Sequence, residues 1–414
     1  MTLHSPLTEH HLNRDASLMP YPDPADPSRF AEVIEAFGPI ELEYAAIRKG
    51  CVLIDQPQRG TITITGKDRL DFLNRLFTQE LKDLASWESR RSFWLNRKGR
   101  IDADLRVTAL PDVIQLDVDI HAAARTIETL ESYLFTEDIS LTNESECLHR
   151  LGLHGPAALA HLGRIAEHDA GPELERLAEG CACRVTIAGH ETLVERFDWL
   201  GEIGLELSCE TEHAVEVYDA LLDAGPAEEQ PTGAESVVRA QPIGWHACNI
   251  ARIEAGTPLY YLDFGTESLP HQTGLLHDRV SFTKGCYLGQ EIIARMESRG
   301  HSKPLLVGMR FEHDSNPDLP QPLSGDEVFV LEPTQASGAG VSPANTSGAG
   351  VSPASTPIGQ ITSSTISPML GSVPICFALV RHAHTSPGTR VAVATEGERI
   401  TATVQPELVF WKRG

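Results

Sequence analysis

Past about residue 304 the helical pattern of this chain stops. From there on the sequence shows short strand-like runs separated by turn residues. That pattern predicts a separate β-barrel or sandwich. Before residue 304, strand and helix patterns alternate. A change of periodicity on this scale excludes one uniform core, and 414 residues point to two or three domains.

Several elements can be placed from periodicity. Thr61-Ile62-Thr63-Ile64-Thr65 alternates with period two and predicts a strand. Leu70, Leu73, Leu76 and Phe77 fall on one helical face. Strand patterns follow at Ser92 to Leu95, Ile101 to Leu110 and Val113 to Val118, and His121 to Tyr133 returns to helix. Asn96-Arg97-Lys98-Gly99-Arg100 is a polar turn whose glycine permits positive φ. The same order recurs from about Leu151 to Leu222, with strands at Leu193 to Phe197 and Leu205 to Cys209 and a helix at Thr211 to Leu222. Residues 1–30, with four prolines between Pro20 and Pro27, read as a disordered leader, and Ala31 to Phe37 as a short helix. Ser337 to Thr346 is followed by a near copy, Ser347 to Thr356. Such small residues and prolines bury too little apolar area to order themselves, which makes 334–357 a flexible insertion in the last domain.

Charge narrows the partners. Acidic residues outnumber basic ones 58 to 34, for a formal charge of −24, and no long basic run interrupts the excess. Such a field repels phosphate backbones and anionic membranes, so direct nucleic-acid or membrane binding is not expected. No stretch reaches the roughly 18 apolar residues of a membrane span, and the first thirty residues lack the apolar core of a signal peptide. Eight scattered cysteines do not make a disulfide framework. The expected location is the cytoplasm. Cys181-Ala182-Cys183 stands alone without a second ligand pair, so no metal site is assigned.

The densest chemistry lies between Val280 and Gly300. Val280-Ser281-Phe282 reads as a strand and Lys284-Gly285 as a turn. Ile292, Ile293 and Met296 give the apolar face of a helix starting near Tyr287. Cys286 would then sit at a helix N-terminus beside Lys284, and both the dipole and the ammonium favour thiolate. On these grounds Cys286 is a nucleophile, a redox group or a transient metal ligand; the alternative is a small buried residue under a turn. Glu291 and Arg295 are four apart and can pair on the helix surface.

Lys284-Gly285-Cys286-Tyr287-Leu288-Gly289-Gln290-Glu291, with Arg295 four residues on, resembles the motif of the YgfZ family, a branch of the folate-binding T-protein superfamily. Arg252-Ile253-Glu254-Ala255-Gly256 with Pro258-Leu259-Tyr260 is similar to a stretch of the wider superfamily, which includes the glycine-cleavage aminomethyltransferase. Gly99 to Leu105 and Gly201 to Glu206 resemble two further T-protein motifs. The likeness runs over roughly 38–414, apart from the repeat.

The resemblance implies an α+β, three-domain T-protein-like fold around a central cavity, with a C-terminal β-barrel. It divides the chain into 31–150 with 240–303 as one lobe of the folate-binding domain, 151–239 as a central lobe, and 304–414 as the barrel. It implies tetrahydrofolate or a derivative as ligand, with Glu206 binding the pterin, whose adjacent donors suit one carboxylate. Asp104 matches the acid near the reactive folate nitrogens, although Asp102 competes for that role. Tyr260, Lys284, Tyr287, Gln290 and Arg295 shape or anchor the pocket, and Cys286 is the reactive group. Two positions depart from the T-protein pattern: Ala103 replaces the first of two adjacent acids, and Cys248 stands where an arginine helps hold folate. Arg252 is expected to pair with Glu254 or a backbone carbonyl.

These departures favour a folate-binding accessory factor of the YgfZ type, supporting iron–sulfur cluster assembly or repair and thereby cluster-dependent enzymes such as tRNA-thiolating ones. Its partners would be assembly or client proteins, with transient contact to a cluster. The alternatives are a tetrahydrofolate-dependent aminomethyltransferase and a folate-binding scaffold without turnover.

Overall fold

The computed structural model describes residues 2–223, 239–299, 303–312, 319–331 and 356–412. The duplicated segment that begins at Ser337 lies outside the described residues up to 355. No described helix is long and apolar enough to cross a membrane.

Strands β1 (Thr2–Leu3), β2 (Ser17–Asp23) and β3 (Asp26–Ala36) form a three-stranded sheet in the order β1-β3-β2. Both readings of this segment are therefore corrected. Residues 2–30 hold β1, β2 and the start of β3 rather than being disordered, and β3 runs on to Ala36 where a helix was expected. Pro20 and Pro22 lie in β2, an edge strand, where a missing N–H costs no ladder bond. β3 pairs on both sides, with β1 and with β2, and this outweighs local helix preference.

β4 (Cys51–Asp55) follows, and then a five-stranded sheet in the order β6-β7-β8-β5-β9. Its members are β5 (Arg59–Thr65), β6 (Ser89–Leu95), β7 (Ile101–Ala109), β8 (Ile114–Asp119) and β9 (Ser140–Asn143). Ile62, Ala103, Leu105, Val107, Leu116 and Val118 point to one face and pack on the helices Arg69–Leu76 and Ile120–Glu131.

A seven-stranded sheet takes the order β11-β12-β13-β14-β10-β4-β15. It adds β10 (Leu148–His154), β11 (Ala166–Ala170), β12 (Ala182–Ile187), β13 (His190–Arg196), β14 (Gly204–Glu210) and β15 (Ala240–Pro242). Leu151, Val194, Leu205 and Leu207 pack on the helices Ala158–Ile165 and Ala214–Leu222. The lobes thus interleave. β4 and β15 belong by sequence to the first expected lobe but pair with each other and, through β4, with β10. All five residues of β4 are buried, which requires cover on both faces.

The last strands close a barrel in the order β16-β19-β18-β17-β20-β21. They are β16 (Leu305–Phe311), β17 (Glu327–Val330), β18 (Gly359–Ser367), β19 (Val373–Val380), β20 (Arg390–Thr395) and β21 (Glu398–Val404). Helix Trp245–Glu254 joins it to the rest. Arg252 donates to Asp263 at 2.8 Å, to the Thr257 carbonyl at 3.1 Å and to Ser363 of β18 at 2.7 Å. Glu254 instead accepts from Arg48 and Tyr44, each at 2.6 Å, and from Ser367.

Candidate active site

The polar halves of the alternating strands do not face solvent. Asp104 and Arg106 of β7 and Asp117 and Asp119 of β8 alternate with core residues, yet Arg106, Asp117 and Asp119 are buried. They turn instead toward the seven-stranded sheet. Arg106 Nη2 lies 2.9 Å from Asp117 Oδ2 and 3.1 Å from Glu195 Oε2 of β13. Arg150 of β10 reaches Glu195 at 3.1 Å and Thr61 of β5 at 2.9 Å. Burial alone would push the Asp117 carboxyl up, but Arg150, Arg59 and Arg106 draw it down to about 2. The two sheets therefore meet through a network of buried charges, and a cavity opens beside it.

Asp104, Glu206 and Tyr260 all line that cavity. Glu206 stands on β14, with Trp199 Nε1 at 2.8 Å and His154 Nε2 at 3.0 Å from Oε1, so neither contact uses Oε2. Burial raises its carboxyl, but the His154 contact and Arg106 outweigh it, and the group is held below the ordinary glutamate range. Asp104 is bound by Arg279, whose Nε lies 2.8 Å from Oδ1. Burial and the nearby Arg91 and Arg106 lower the Arg279 guanidinium to about 10 against the pull of Asp104, so it stays charged at neutral pH. Tyr260 donates to the Asp102 carbonyl at 2.9 Å, and burial raises its phenol. Asp102 itself accepts from Asn96 Nδ2 at 3.0 Å and is not a lining residue. Trp199, Trp245 and Phe197 supply flat apolar walls, and Tyr21 of β2, bonded to Asp119 at 2.5 Å, covers one side.

The other expected site residues lie elsewhere. Lys284, Cys286, Tyr287, Gln290 and Arg295 do not line the cavity. No strand forms at 280–282, and the helix begins at Gln290, four residues beyond Cys286. Lys284 Nζ donates to the carbonyls of Asn74, Phe77 and Gln79 at 2.6, 2.8 and 2.8 Å. Its role is to cap a turn, and burial lowers its ammonium to about 8. Tyr287 is buried in an apolar cluster with Phe93, Leu95 and Ile101. Gly289, at φ +83°, would place a Cβ 3.2 Å from Gly99 Cα. Much of the 284–291 segment thus packs against the β6–β7 turn, while Cys286 is exposed. The helix invoked for Cys286 starts four residues further along the chain, and the Lys284 ammonium is turned to three backbone carbonyls. Cys248 is buried among Tyr44, Ile47 and Ala251, and burial pushes its thiol up.

Sequence reasoning missed Arg59, Arg91, Arg106, Asp117 and Arg279 as cavity residues. For Arg106 and Asp117 the available signal was charge at alternate positions of strands whose other positions are core.

The sequence matches the GCVT N-terminal domain over residues 7–284 and the glycine cleavage T-protein C-terminal barrel domain over residues 334–412. It is similar to the aminomethyltransferase of Caldanaerobacter subterraneus subsp. tengcongensis, 28% identical over 306 residues that cover 73% of this chain and 75% of that one. The aminomethyltransferase of Desulfitobacterium hafniense is 25% identical over 411 residues, 99% of this chain and 98% of that one. Among solved structures, the glycine cleavage system aminomethyltransferase T from Bartonella henselae has the same fold, with a TM-score of 0.77 at 21% identity over 99% of this chain and 98% of that one.

Proposed function

The chain belongs to the glycine cleavage T-protein family, and from that premise we propose that it is a tetrahydrofolate-dependent one-carbon transferase of the aminomethyltransferase type. The observation that carries this reading is that Asp104 and Glu206, on strands of different sheets, line one cavity that Cys286 does not enter. The order of preference drawn from the sequence is thereby reversed. A flat pterin suits the aromatic walls, and its paired donors suit the Glu206 carboxylate, which is kept charged.

Bound tetrahydrofolate would supply the nitrogen that takes up the one-carbon unit. The chain's own residues do the rest. Glu206 fixes the pterin edge, with Trp199 and His154 holding the carboxylate in place. Asp104 presents negative charge where positive charge develops on the transferred group. Arg279 orients that carboxylate. The sheets, with Tyr21 at the side, wall the cavity. The test is to mix the protein with tetrahydrofolate and an aminomethylated lipoyl carrier. Methylene-tetrahydrofolate should form and depend on Asp104. Folate binding without turnover would leave the scaffold reading.

A second reading, of the YgfZ type, rests on exposed Cys286 within the 284–291 motif. There the protein binds folate and supports iron–sulfur enzymes through that thiol. Full complementation by Cys286→Ala in cells lacking the native gene, scored on cluster-dependent enzymes, would remove it.

A further inference from the structure

The first cavity is continued by a second, which shares Arg91, Arg106 and Phe197 with it and adds Arg90 and Arg196 to its wall. Its acids are Glu179 and Asp278, so arginines outnumber acids there in a chain whose formal charge is −24. Arg90 and Arg196 are satisfied, by Asp83 at 2.6 Å and by Asp198 at 3.1 Å. Arg106 is not. Its Nη2 serves Asp117 and Glu195, while Nε and Nη1 are buried without a hydrogen-bond partner among the described residues. A buried cationic donor in that state costs free energy unless a ligand completes it.

Arg91 compounds the cost. It stands directly opposite Arg106 in the β6–β7 register, where like charges repel. Its ion partner, Asp278, lies 3.0 Å away, is partly exposed and is shared with Arg279. Phe197 stacks against both guanidinium groups, 4.7 Å from Arg91 Cζ and 5.0 Å from Arg106 Cζ. Asp104 is two residues from Arg106 on the same strand face, about 7 Å along the strand.

The geometry points to a carboxylate-binding subsite formed by Arg106 and Arg91 where the two cavities join. It takes the free carboxylate of a small molecule whose remaining part extends toward Asp104. Two sources share this chemistry: the glutamate of a folate, and an amino-acid-sized one-carbon donor. Only the first rests on the folate reading.

The experiment is calorimetry at low ionic strength on the full chain, with Arg91→Met and Arg106→Lys. The lysine variant keeps a charge for Asp117 and Glu195 but loses the fork. One arm compares 5-formyltetrahydrofolate with the pteroyl compound lacking glutamate. The other compares sarcosine with sarcosine amide. In at least one arm the wild type should prefer the carboxylate at least tenfold, about 1.4 kcal/mol, and both variants should lose that preference while melting near the wild-type temperature. The arm that responds identifies the source. If neither pterin compound binds, the folate reading fails, and the sarcosine arm alone decides the subsite. Absence of an arginine-dependent preference in both arms overturns the proposal. If Arg106→Lys does not fold, Arg91→Met decides by the same criterion.

Discussion

Arg279 Nε lies 2.8 Å from Asp104 Oδ1, so the acid in the cavity wall carries its counter-ion with it. The pair spans from β7 to the segment just before the 284–291 motif. It links the cavity wall to that segment through a carboxylate rather than through the cysteine.

Asp104→Asn keeps the shape and removes the charge. Turnover in the methylene-tetrahydrofolate assay should fall about a hundredfold, the scale of one well-placed electrostatic group. Folate affinity should stay within about threefold, because in the proposed mechanism Asp104 acts on the group being transferred.

Arg279→Gln leaves the half-buried Asp104 without its partner. Removing one member of a pair buried on the arginine side only costs about 1–2 kcal/mol, less than the roughly 3 kcal/mol of a fully buried pair. A chemical denaturation series should show that loss, and Arg279→Gln combined with Asp104→Asn should recover most of it.

Lys284 and Cys286 separate cleanly by stability. Lys284→Ala orphans the carbonyls of Asn74, Phe77 and Gln79 and should cost about 3 kcal/mol. Cys286 is exposed, so Cys286→Ser should change stability by less than about 0.5 kcal/mol. Thermal melts of the two variants side by side check this.

Asp117 gives a pH signature. Its folded carboxyl is drawn to about 2, below the ordinary aspartate value of about 3.9. Its stabilisation is therefore complete above about pH 4 and is lost as pH falls toward about 2. The melting-temperature gap between wild type and Asp117→Asn should be constant from pH 7 to about 4 and close below that.

Much of the fold was legible because strands β5, β7 and β8 and the helices behind them obey simple periods. The barrel was legible from the loss of helical pattern after residue 304. The N-terminal sheet was not, since Pro20 and Pro22 look like breakers unless β2 is known to be an edge. Asp104, Glu206 and Tyr260 were legible from motif resemblance. Arg106, Asp117, Arg150 and Glu195 were not. They are far apart in sequence and meet only because two sheets turn their polar faces toward each other, where an alternating pattern ordinarily signals solvent. The cysteine motif misled for a related reason. The expected helix start near Tyr287 was three residues early, and the helix begins at Gln290, four residues beyond Cys286.

The most direct measurement is the affinity of 5-formyltetrahydrofolate for the wild type and for Glu206→Gln, from pH 8 down to pH 4. Glu206 is held charged below the ordinary glutamate range, so wild-type affinity should stay level until the pH passes below about 4.3. Glu206→Gln should bind at least tenfold more weakly across that range. Equal affinity of the two proteins would contradict the central claim, that the cavity between the two sheets holds folate through Glu206.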